Sequence, residues 1–311
     1  MPLILFPRQV DLVRFFEDLR ANQANGLVEK SRDMGATWVA CGYSVWLWIF
    51  YPDASIGWGS RKQEFVDKIG SMDSIFEKLR SIIRGLPREF WPKGFRPDIH
   101  FKMMHITNPE NGASISGEIG DDIGRGGRKL CYFVDESAHL ARPDLIEASL
   151  SLNTRIRIEI SSVNGSGNVF HRKRQKGLVW YRGGEVAKNR SNVFIMDWAE
   201  NPMHTQEWYD NMREEKEGQG LLHVFEQEVN RNYSAAVEGI IIPALWVKAS
   251  VDAHLKIPGM ESGPWAAALD PYDEGRDKHA LVKRKGVVVK YADDWSEGDT
   301  GDATRKTVVE C

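Results

Sequence analysis

The chain has 311 residues, of which 42% are apolar, and a formal net charge of −3. This length favours a large α/β domain followed by a second, smaller piece, and the low net charge limits any nucleic-acid contact to local basic patches. Three widely spaced cysteines exclude a disulfide framework and a zinc pattern, which fits a reducing, intracellular compartment. We expect no membrane span, because no apolar run reaches about 18–20 residues, and no secretion, because the N-terminus shows no leader pattern.

Helical and strand patterns alternate over most of the chain. A glycine separates the first strand from the helix that follows it. The predicted elements in chain order are a helix over 10–21, a strand over 26–30, a helix over 36–50, a strand over 54–60, a charged helix over roughly 61–84, a proline-rich loop over 87–98, a strand over 100–108, a glycine-rich stretch over 112–127, a strand over 129–140, a helix over 142–153, a strand over 154–168 and a strand over 192–198.

Apolar strands that alternate with helices predict an α/β fold, with a mainly parallel sheet and helices on both faces. In such sheets, ligands bind at the carboxyl ends of the strands, where the candidate motifs lie. Residues 236–263 then mix Pro, Gly and short apolar pieces, as linkers do. We therefore predict a first domain over 1–235, a linker over 236–263 and the start of a second domain over 264–311, with the strand "WAAALD" and a hairpin turning at Lys285–Gly286.

The stretch "GLVEKSRDMGATWVA", residues 26–40, has the layout of a phosphate-binding loop between a strand and a helix. The common pattern ends in Gly-Lys-Thr/Ser, but here Ala36 stands in the lysine position. A lysine is present on the opposite shoulder of the loop, at Lys30. Its mobile ammonium group is long enough to reach phosphates from that side.

In a nucleotide site, Lys30 and Arg32 would bind phosphates, and the backbone N–H groups of residues 33–37 would surround them. The hydroxyl of Thr37 would be a ligand for Mg²⁺. The alternative is that Lys30 and Arg32 are solvated residues at the end of a strand and that Gly35 only permits a tight turn.

The apolar stretch "CYFVDESA" ends in two neighbouring acids, Asp135 and Glu136. Phosphoryl transfer needs one carboxylate for Mg²⁺ and another to orient and deprotonate water, so Asp135 would serve the metal and Glu136 would be the base. Alternatively, Asp135 caps the next helix and Glu136 lies in its first turn. The acidic pair follows the phosphate-loop pattern in the expected order, about 100 residues later, and the two together favour a nucleotide-hydrolysing site.

Several stretches, in this order, resemble the ATPase of the large terminase subunit of tailed bacteriophages, the genome-packaging motor. They are "FPRQVDLV" as the adenine-recognition element, "EKSRDMGAT" as the variant phosphate loop, "DDIGRGGRKLCYFVDESAH" as a glycine-arginine stretch running into the acidic strand, "EISSVNGSGN" as the coupling motif, "IMDWAENP" and "FEQEVNRNY" as the end of the motor domain, and "AALDPYDEGRDKHALV" as the opening of the nuclease. The resemblance covers nearly the whole chain.

This resemblance implies a P-loop NTPase fold of the ASCE type, a linker and the first strands of a ribonuclease H-like α/β domain. It also implies that the displaced lysine is an accepted variant and that ATP with Mg²⁺ is bound. The implied nucleotide-binding residues are Gln9, which would read the adenine edge, and Lys30, Ser31, Arg32, Asp33, Met34, Gly35, Ala36 and Thr37. The implied metal ligands for Mg·ATP are Thr37 and Asp135, and Glu136 is the implied base.

Two further segments gain a function from the resemblance. Arg125, or Arg128 as the second candidate, would reach the nucleotide of a neighbouring subunit and stabilise the transferring phosphoryl group. The implied coupling residues, which would sense the γ-phosphate, are Ser161, Ser162 and Asn164. Without the resemblance, these segments are a flexible glycine loop with solvated arginines and an ordinary polar turn.

The stretch "HRKRQKG" carries the cluster Arg172, Lys173, Arg174 and Lys176. These side chains either neutralise DNA phosphates, with strongly salt-dependent affinity, or form one solvated face of a helix or loop. We assign no base readout to them, because a packaging motor must move along any sequence.

Asp270 ends an apolar strand and would be the first metal-binding carboxylate of a nuclease. The acids of the following turn, Asp273, Glu274 and Asp277, stand where solvated acids are common. The family takes its other ligands from later strands, and the sequence stops at Cys311. We therefore expect that this chain does not cut DNA by itself, and that a complete nuclease domain would need a divalent metal.

We interpret the chain as an ATP-driven translocase of double-stranded DNA, acting in the host cytoplasm during virus assembly and away from membranes. The implied partners are DNA, further copies in a ring on a capsid portal, and the small terminase subunit. Three alternatives stay open. They are another nucleic-acid-stimulated ATPase such as a helicase, a non-hydrolysing DNA-binding or capsid-docking protein with a relic loop, as Ala36 would suit, and a chiefly endonucleolytic role.

Overall fold

The computed structural model describes residues 4–235, 244–272 and 278–310. The chain divides into two compact units, Met1–Ile241 and Ile242–Cys311. This division falls inside the segment 236–263 that the composition predicts as a linker. The predicted domain limits themselves stay predictions.

The first unit is an α/β unit in which helices and strands alternate. Its helices are α1 (Pro7–Asn22), α2 (Ala36–Phe50), α3 (Gln63–Val66), α4 (Ile75–Gly85), α5 (Pro97–His100), α6 (Pro143–Asn153), α7 (Val169–Lys176), α8 (Gln206–Gly218) and α9 (Leu222–Glu228). Its strands are β1 (Gly26–Lys30), β2 (Ser55–Ser60), β3 (Phe101–Lys102), β4 (His105–Thr107), β5 (Ser114–Ile119), β6 (Cys131–Asp135), β7 (Arg157–Ser161), β8 (Leu178–Val179) and β9 (Asn192–Met196).

These strands form one nine-stranded sheet in the order β3-β4-β5-β2-β6-β7-β1-β9-β8. All neighbours from β5 to β8 pair in parallel, whereas β4 pairs antiparallel with both β3 and β5. Strand β1 lies between β7 and β9, and all five of its residues are buried. The carboxyl ends of β1, β6 and β7 therefore meet at one edge of the sheet.

Helices cover both faces of the sheet. On one face, Phe16 of α1, Trp48 of α2 and Phe76 of α4 belong to the main apolar core, together with Phe133 of β6. On the other face, Tyr132 and Val134 of β6 pack with Ile146 and Leu150 of α6, and Leu27 of β1 packs with Phe170 of α7. The alternation of β6 side chains between the two faces explains why this strand is apolar throughout. The predicted fold class is confirmed for this unit.

Three predicted elements differ from the structure. The strand predicted over 100–108 is a hairpin of β3 and β4, because Met104 turns the chain at a φ of 51°. The stretch predicted as glycine-rich contains β5, which pairs along its whole length with β2. The helix predicted over 61–84 is divided into α3 and α4 by residues 67–74.

The second unit contains a separate antiparallel sheet in the order β10-β11-β12. Its elements are α10 (Ala244–Ser250), β10 (Trp265–Asp270), β11 (His279–Lys285), β12 (Val288–Trp295) and α11 (Thr300–Glu310). The hairpin of β11 and β12 turns at Gly286 and Val287, one residue after the predicted position. Within the described ranges, no helix is long and apolar enough to cross a bilayer.

Candidate nucleotide site

The loop between β1 and α2 has the backbone of a tight anion-binding turn. Asp33 and Gly35 have φ angles of 58° and 67°, which turn the chain before α2 begins at Ala36. A Cβ on residue 35 would lie 2.6 Å from Gln9 Nε2, so both the backbone conformation and the space require glycine. The N-terminus of α2 thus opens directly onto the loop, where its free N–H groups favour an anion.

Lys30, the last residue of β1, points toward the acidic pair and is buried. Its Nζ lies 3.3 Å from Glu136 Oε1. Burial opposes the charge of Lys30, but Glu136, Asp135 and Glu228 outweigh it and raise the pKa of the lysine. The ammonium group is therefore held charged between the phosphate loop and the end of β6.

The two acids at the end of β6 lie in different environments. Burial and the neighbouring carboxylate of Glu136 raise the pKa of Asp135 to about 6. The pKa of Glu136 is lowered, because Lys30, His139 and a hydrogen bond from Ser161 outweigh the effect of burial. Glu136 has a φ of 53°, which turns its side chain away from the strand direction. The pair thus combines an ionised carboxylate beside a cation with a second carboxylate whose ionisation is opposed by burial and by its neighbour more than Lys30 and Thr37 favour it.

The residues proposed for Mg²⁺ fit that ion. Thr37 Oγ1 donates a hydrogen bond to Asp135 Oδ1 at 3.0 Å, so hydroxyl and carboxylate oxygens are already adjacent. Mg²⁺ is typically bound through one or two carboxylates together with substrate phosphates and water. The raised pKa of Asp135 indicates a carboxylate that a cation would stabilise in its ionised form. Within the described residues, no group of three or more His, Cys, Asp or Glu side chains is arranged to hold a metal.

The other loop residues are held by hydrogen bonds. Gln9 Nε2 donates to the carbonyl of Met34 at 3.0 Å, so the predicted adenine-reading side chain here supports the loop backbone. Ser31 Oγ donates to the carbonyl of Val229 at 2.6 Å and is fully buried. Arg32 is exposed, and its guanidinium lies 3.8 Å from Glu228. Of the two basic loop residues, Lys30 is thus the one that faces the acids.

The predicted coupling residues connect the acidic pair to α9. Ser161 Oγ donates to Glu136 Oε2 at 3.2 Å. Ser162 Oγ donates to Glu228 Oε1 at 3.2 Å. Asn164 Nδ2 donates to the carbonyl of Ala138 at 3.1 Å and fixes the turn that follows the acids. All three side chains therefore contact either the acidic pair and its turn or the last residue of α9.

The glycine-arginine loop does not join this site within the chain. Arg125 and Arg128 are both exposed. Arg128 lies just before the amino end of β6, whereas Lys30 lies at the carboxyl end of the parallel strand β1. This position is compatible with contact to another subunit, which is the role that the resemblance implies.

The basic cluster on α7 is largely neutralised by acids of the same unit. Arg172 pairs with Asp144 at 3.1 Å. Lys173 contacts both Glu147 and Glu159. The Nε atom of Arg174 lies 2.8 Å from the carboxylate of Glu29. Within the described residues, the fourth member, Lys176, has no acidic partner. Three of the four predicted DNA-binding cations are thus engaged inside the protein.

Glu29, one residue before Lys30, is a buried acid that the sequence reasoning missed. Its carboxylate accepts bonds from Arg174 at 2.8 Å, Arg231 at 3.3 Å and Tyr233 at 2.7 Å. Arg231 also donates to Ser31 Oγ at 2.9 Å. This network fixes the end of β1 on the face opposite Lys30.

Glu228 and Arg231 are the functional candidates that the sequence did not reveal. They lie about 200 residues after the loop that they contact, within "FEQEVNRNY", and nothing in their spacing predicts that contact. The backbone N–H of Arg32 donates to the carbonyl of Glu228 at 2.7 Å. The only feature of the sequence that marks this stretch is its high content of charged and amide residues.

The nuclease prediction is only partly covered by the structure. Asp270 ends β10 and is exposed. Asp273, Glu274, Asp277 and Cys311 lie outside the described residues.

The structure resembles large terminase subunits of phages. The large terminase from a thermophilic bacteriophage, in complex with ADP, matches with a TM-score of 0.56 and 12% identity over 99% of this chain and 75% of that chain. The large terminase of bacteriophage HK97 matches with a TM-score of 0.55 and 16% identity over 99% of this chain and 66% of that chain.

No protein-family profile and no curated protein sequence matches the chain. The resemblance to large terminases is thus confirmed through the structure, at the level of the fold. Both matches cover 99% of this chain, so they include the small antiparallel sheet of the second unit.

Proposed function

We propose that this chain is the ATP-hydrolysing motor subunit of a viral genome-packaging terminase, acting on double-stranded DNA. The observation that carries the proposal is the meeting of Lys30, Thr37, Asp135 and Glu136 at the carboxyl edge of one sheet, beside the N-terminus of α2. The similar large terminase from the thermophilic bacteriophage is described in complex with ADP and with ATP-γ-S, which supports the same ligand class here.

Each residue of the site has a separate task. Lys30 and the N–H groups of residues 33–37 bind the phosphates, and Thr37 and Asp135 would hold Mg²⁺. When bound, Mg²⁺ neutralises charge on the β- and γ-phosphates. Glu136 accepts a proton from the attacking water.

The break of the ion pair Lys30–Glu136 is part of this proposal. In the structure, Lys30 is neutralised by Glu136 at 3.3 Å. A triphosphate offers Lys30 a stronger anionic partner, which frees Glu136 to contact water. Ser161 then keeps Glu136 oriented, because it donates to the other carboxylate oxygen.

The variant Glu136→Gln tests the hydrolytic role. We expect it to bind Mg·ATP with affinity close to that of the wild type, and to reduce turnover by about 10²–10⁴-fold. Turnover is measured by phosphate release and binding by titration with a fluorescent nucleotide. Unchanged turnover in this variant refutes the assignment of Glu136.

The DNA-related part of the proposal needs its own measurement. Phosphate release is compared with and without duplex DNA at several protein concentrations. We expect stimulation by DNA, and a turnover per subunit that increases with concentration as subunits assemble. Movement along duplex DNA without strand separation distinguishes this motor from a helicase.

A further inference from the structure

The amino edge of the large sheet, opposite the nucleotide site, carries a row of cations. Along this edge, the order of strand beginnings is β6, β7, β1, β9 and β8. The cations stand just before four of these strands: Arg128 and Lys129 before β6, Arg155 before β7, Lys188 and Arg190 before β9, and Lys176 before β8. Lys129 is half-buried and the other five are exposed. We refer to these six residues as the amino-edge row.

Two neighbouring grooves bring the row together. The first has a volume of about 530 Å³, and Arg128, Lys129 and Arg155 lie on its wall together with Gln23 and Asn153. The second has a volume of about 440 Å³ and contains Lys176, Lys188 and Arg190, with Asn25 and Ser191. The hydrogen bond from the backbone N–H of Arg157 to Asn25 Oδ1, 3.0 Å, joins the strand beginnings between the two grooves.

The row differs from the basic helix α7 in its lack of acidic partners. Within the described residues, none of its six cations forms an ion pair, and Arg155 Nη1 donates only to the amide oxygen of Gln23, at 3.1 Å. The acid in the second groove, Glu147, is already paired with Arg157 at 2.7 Å and with Lys173. Glu185 is exposed in the loop before β9. The row therefore keeps a net positive charge in a chain whose overall charge is −3.

The dimensions of the row suit a duplex. Four inter-strand steps separate β6 from β8, which corresponds to about 19 Å at about 4.8 Å per step. Duplex DNA carries about one negative charge per 1.7 Å of axis when both strands are counted, so a duplex segment of this length carries about eleven phosphates, of which one face presents only a part. The polar neutral side chains of the two grooves are amides and hydroxyls, a class of group that contacts phosphate oxygens without reading bases.

We propose that the amino-edge row is the surface on which this unit binds the phosphate backbone of duplex DNA, independently of sequence. The inference rests on the proposed function for its choice of partner. It assigns DNA contact to the edge opposite the nucleotide, and of the predicted cluster on α7 it retains only Lys176. The competing occupant is an acidic face of a protein, including a second copy of this chain. Leu130 and Leu152 are exposed at the first groove, and exposed apolar side chains favour contact with a protein.

The test compares two triple variants with equal loss of charge. The edge variant is Arg155→Ala, Lys188→Ala and Arg190→Ala. The control variant is Lys68→Ala, Lys93→Ala and Arg213→Ala, whose exposed side chains lie elsewhere on the unit. Affinity for a fluorescent duplex of about three helical turns is measured by anisotropy without nucleotide, over a range of salt concentrations and for two unrelated sequences.

We expect the edge variant to weaken binding by about tenfold or more for both sequences, and to lower the slope of log K against log salt by about two to three. The control variant should stay within about twofold of the wild type. A conservative variant, Arg155→Lys, Lys188→Arg and Arg190→Lys, should restore both affinity and slope.

Three outcomes overturn the inference. The first is that the edge and control variants weaken DNA binding equally, and the second is that the edge variant leaves the salt slope unchanged. The third is that the edge variant loses self-association in ultracentrifugation while its DNA affinity is unchanged, which would assign the row to contact with a second copy. ATP turnover without DNA is measured in the same variants. Absence of wild-type turnover both here and in the presence of duplex DNA refutes the proposed function, whereas normal turnover with unchanged DNA binding refutes only the amino-edge row.

Discussion

At the residue scale, the position of Lys30 determines which charges are paired in the candidate nucleotide site. In the common phosphate loop the lysine begins the helix, but here that place is held by the buried Ala36. The cation instead ends β1, an inner strand of the sheet, and faces Glu136 at 3.3 Å. Because Arg32 is exposed near Glu228, the two basic loop residues should contribute very differently to nucleotide binding.

The pair Lys30→Met and Arg32→Met measures this difference. We expect Lys30→Met to weaken Mg·ATP binding by at least about tenfold, because a charge-assisted contact to a phosphate contributes about 1.5–3 kcal/mol. Arg32→Met should change the affinity by less than about threefold, since an exposed charge is screened by solvent. Both are checked by titration with a fluorescent ATP analogue. A larger effect at Arg32 contradicts the assignment of Lys30 as the phosphate ligand.

The sequence allowed the site residues at strand ends to be predicted, but not the distant residues that form hydrogen bonds with the loop. Lys30, Asp135 and Glu136 could be placed together, since parallel strands align their carboxyl ends. Glu228 and Arg231 could not, because contacts between segments about 200 residues apart depend on how the whole chain packs.

At the element scale, a buried ion pair holds the antiparallel side of the sheet. Arg80 of α4 donates two hydrogen bonds to Asp67, at 2.7 and 2.6 Å, and one to the carbonyl of Lys102 at 3.2 Å. Asp67 also accepts from the backbone N–H of Met104 at 2.6 Å. The pair thus ties α4 to the hairpin of β3 and β4.

Arg80→Ala is expected to lower the free energy of unfolding by about 3–5 kcal/mol, because it leaves the carboxylate of Asp67 buried and unpaired. Arg84→Ala is the matched control on the same helix. Its half-exposed guanidinium pairs with Glu77, and its loss should cost less than about 1 kcal/mol. Urea denaturation followed by circular dichroism measures both. Similar costs for the two variants would show that the Arg80 pair does not stabilise the fold.

Element bounds were predictable where local signals were strong. The bounds of β1 and α2 agree with the prediction, because Gly35 marks the change from strand to helix. Strand β5, with the sequence "SISGEI", is not evident from the sequence, because Ser and Gly have low strand propensity. Its pairing with β2 stabilises the strand conformation instead. Residues 67–74 interrupt the predicted long helix where Gly70 and several polar side chains disfavour it.

At the scale of the whole molecule, no arginine among the described residues pairs with the acidic pair. The basic side chains against Glu136 in that part of the chain are Lys30 and His139. Arg125 and Arg128 lie in an exposed loop that leads to the amino end of β6. Under the proposed function, a neighbouring subunit supplies one of them to stabilise the transferring phosphoryl group.

Mixing two inactive variants tests this supply between subunits. Arg125→Ala lacks the arginine and Glu136→Gln lacks the base, so each alone should hydrolyse ATP at least about 10²-fold more slowly than the wild type. In an equimolar mixture, random neighbours combine an intact base with an intact arginine at up to about a quarter of the sites. Phosphate release should recover to that extent. No recovery with Arg125→Ala, but recovery with Arg128→Ala, would assign the role to Arg128.

The carboxylate of Glu29 has a mechanical consequence. It joins Arg174 of α7, Arg231 and Tyr233 to the strand residue that immediately precedes Lys30. We therefore expect a displacement of Lys30 on one face of β1 to affect, through one peptide unit and a buried carboxylate, a helix and the last described segment of the first unit on the other face. Strand β1 thus connects the two faces of the sheet through two adjacent residues, Glu29 and Lys30.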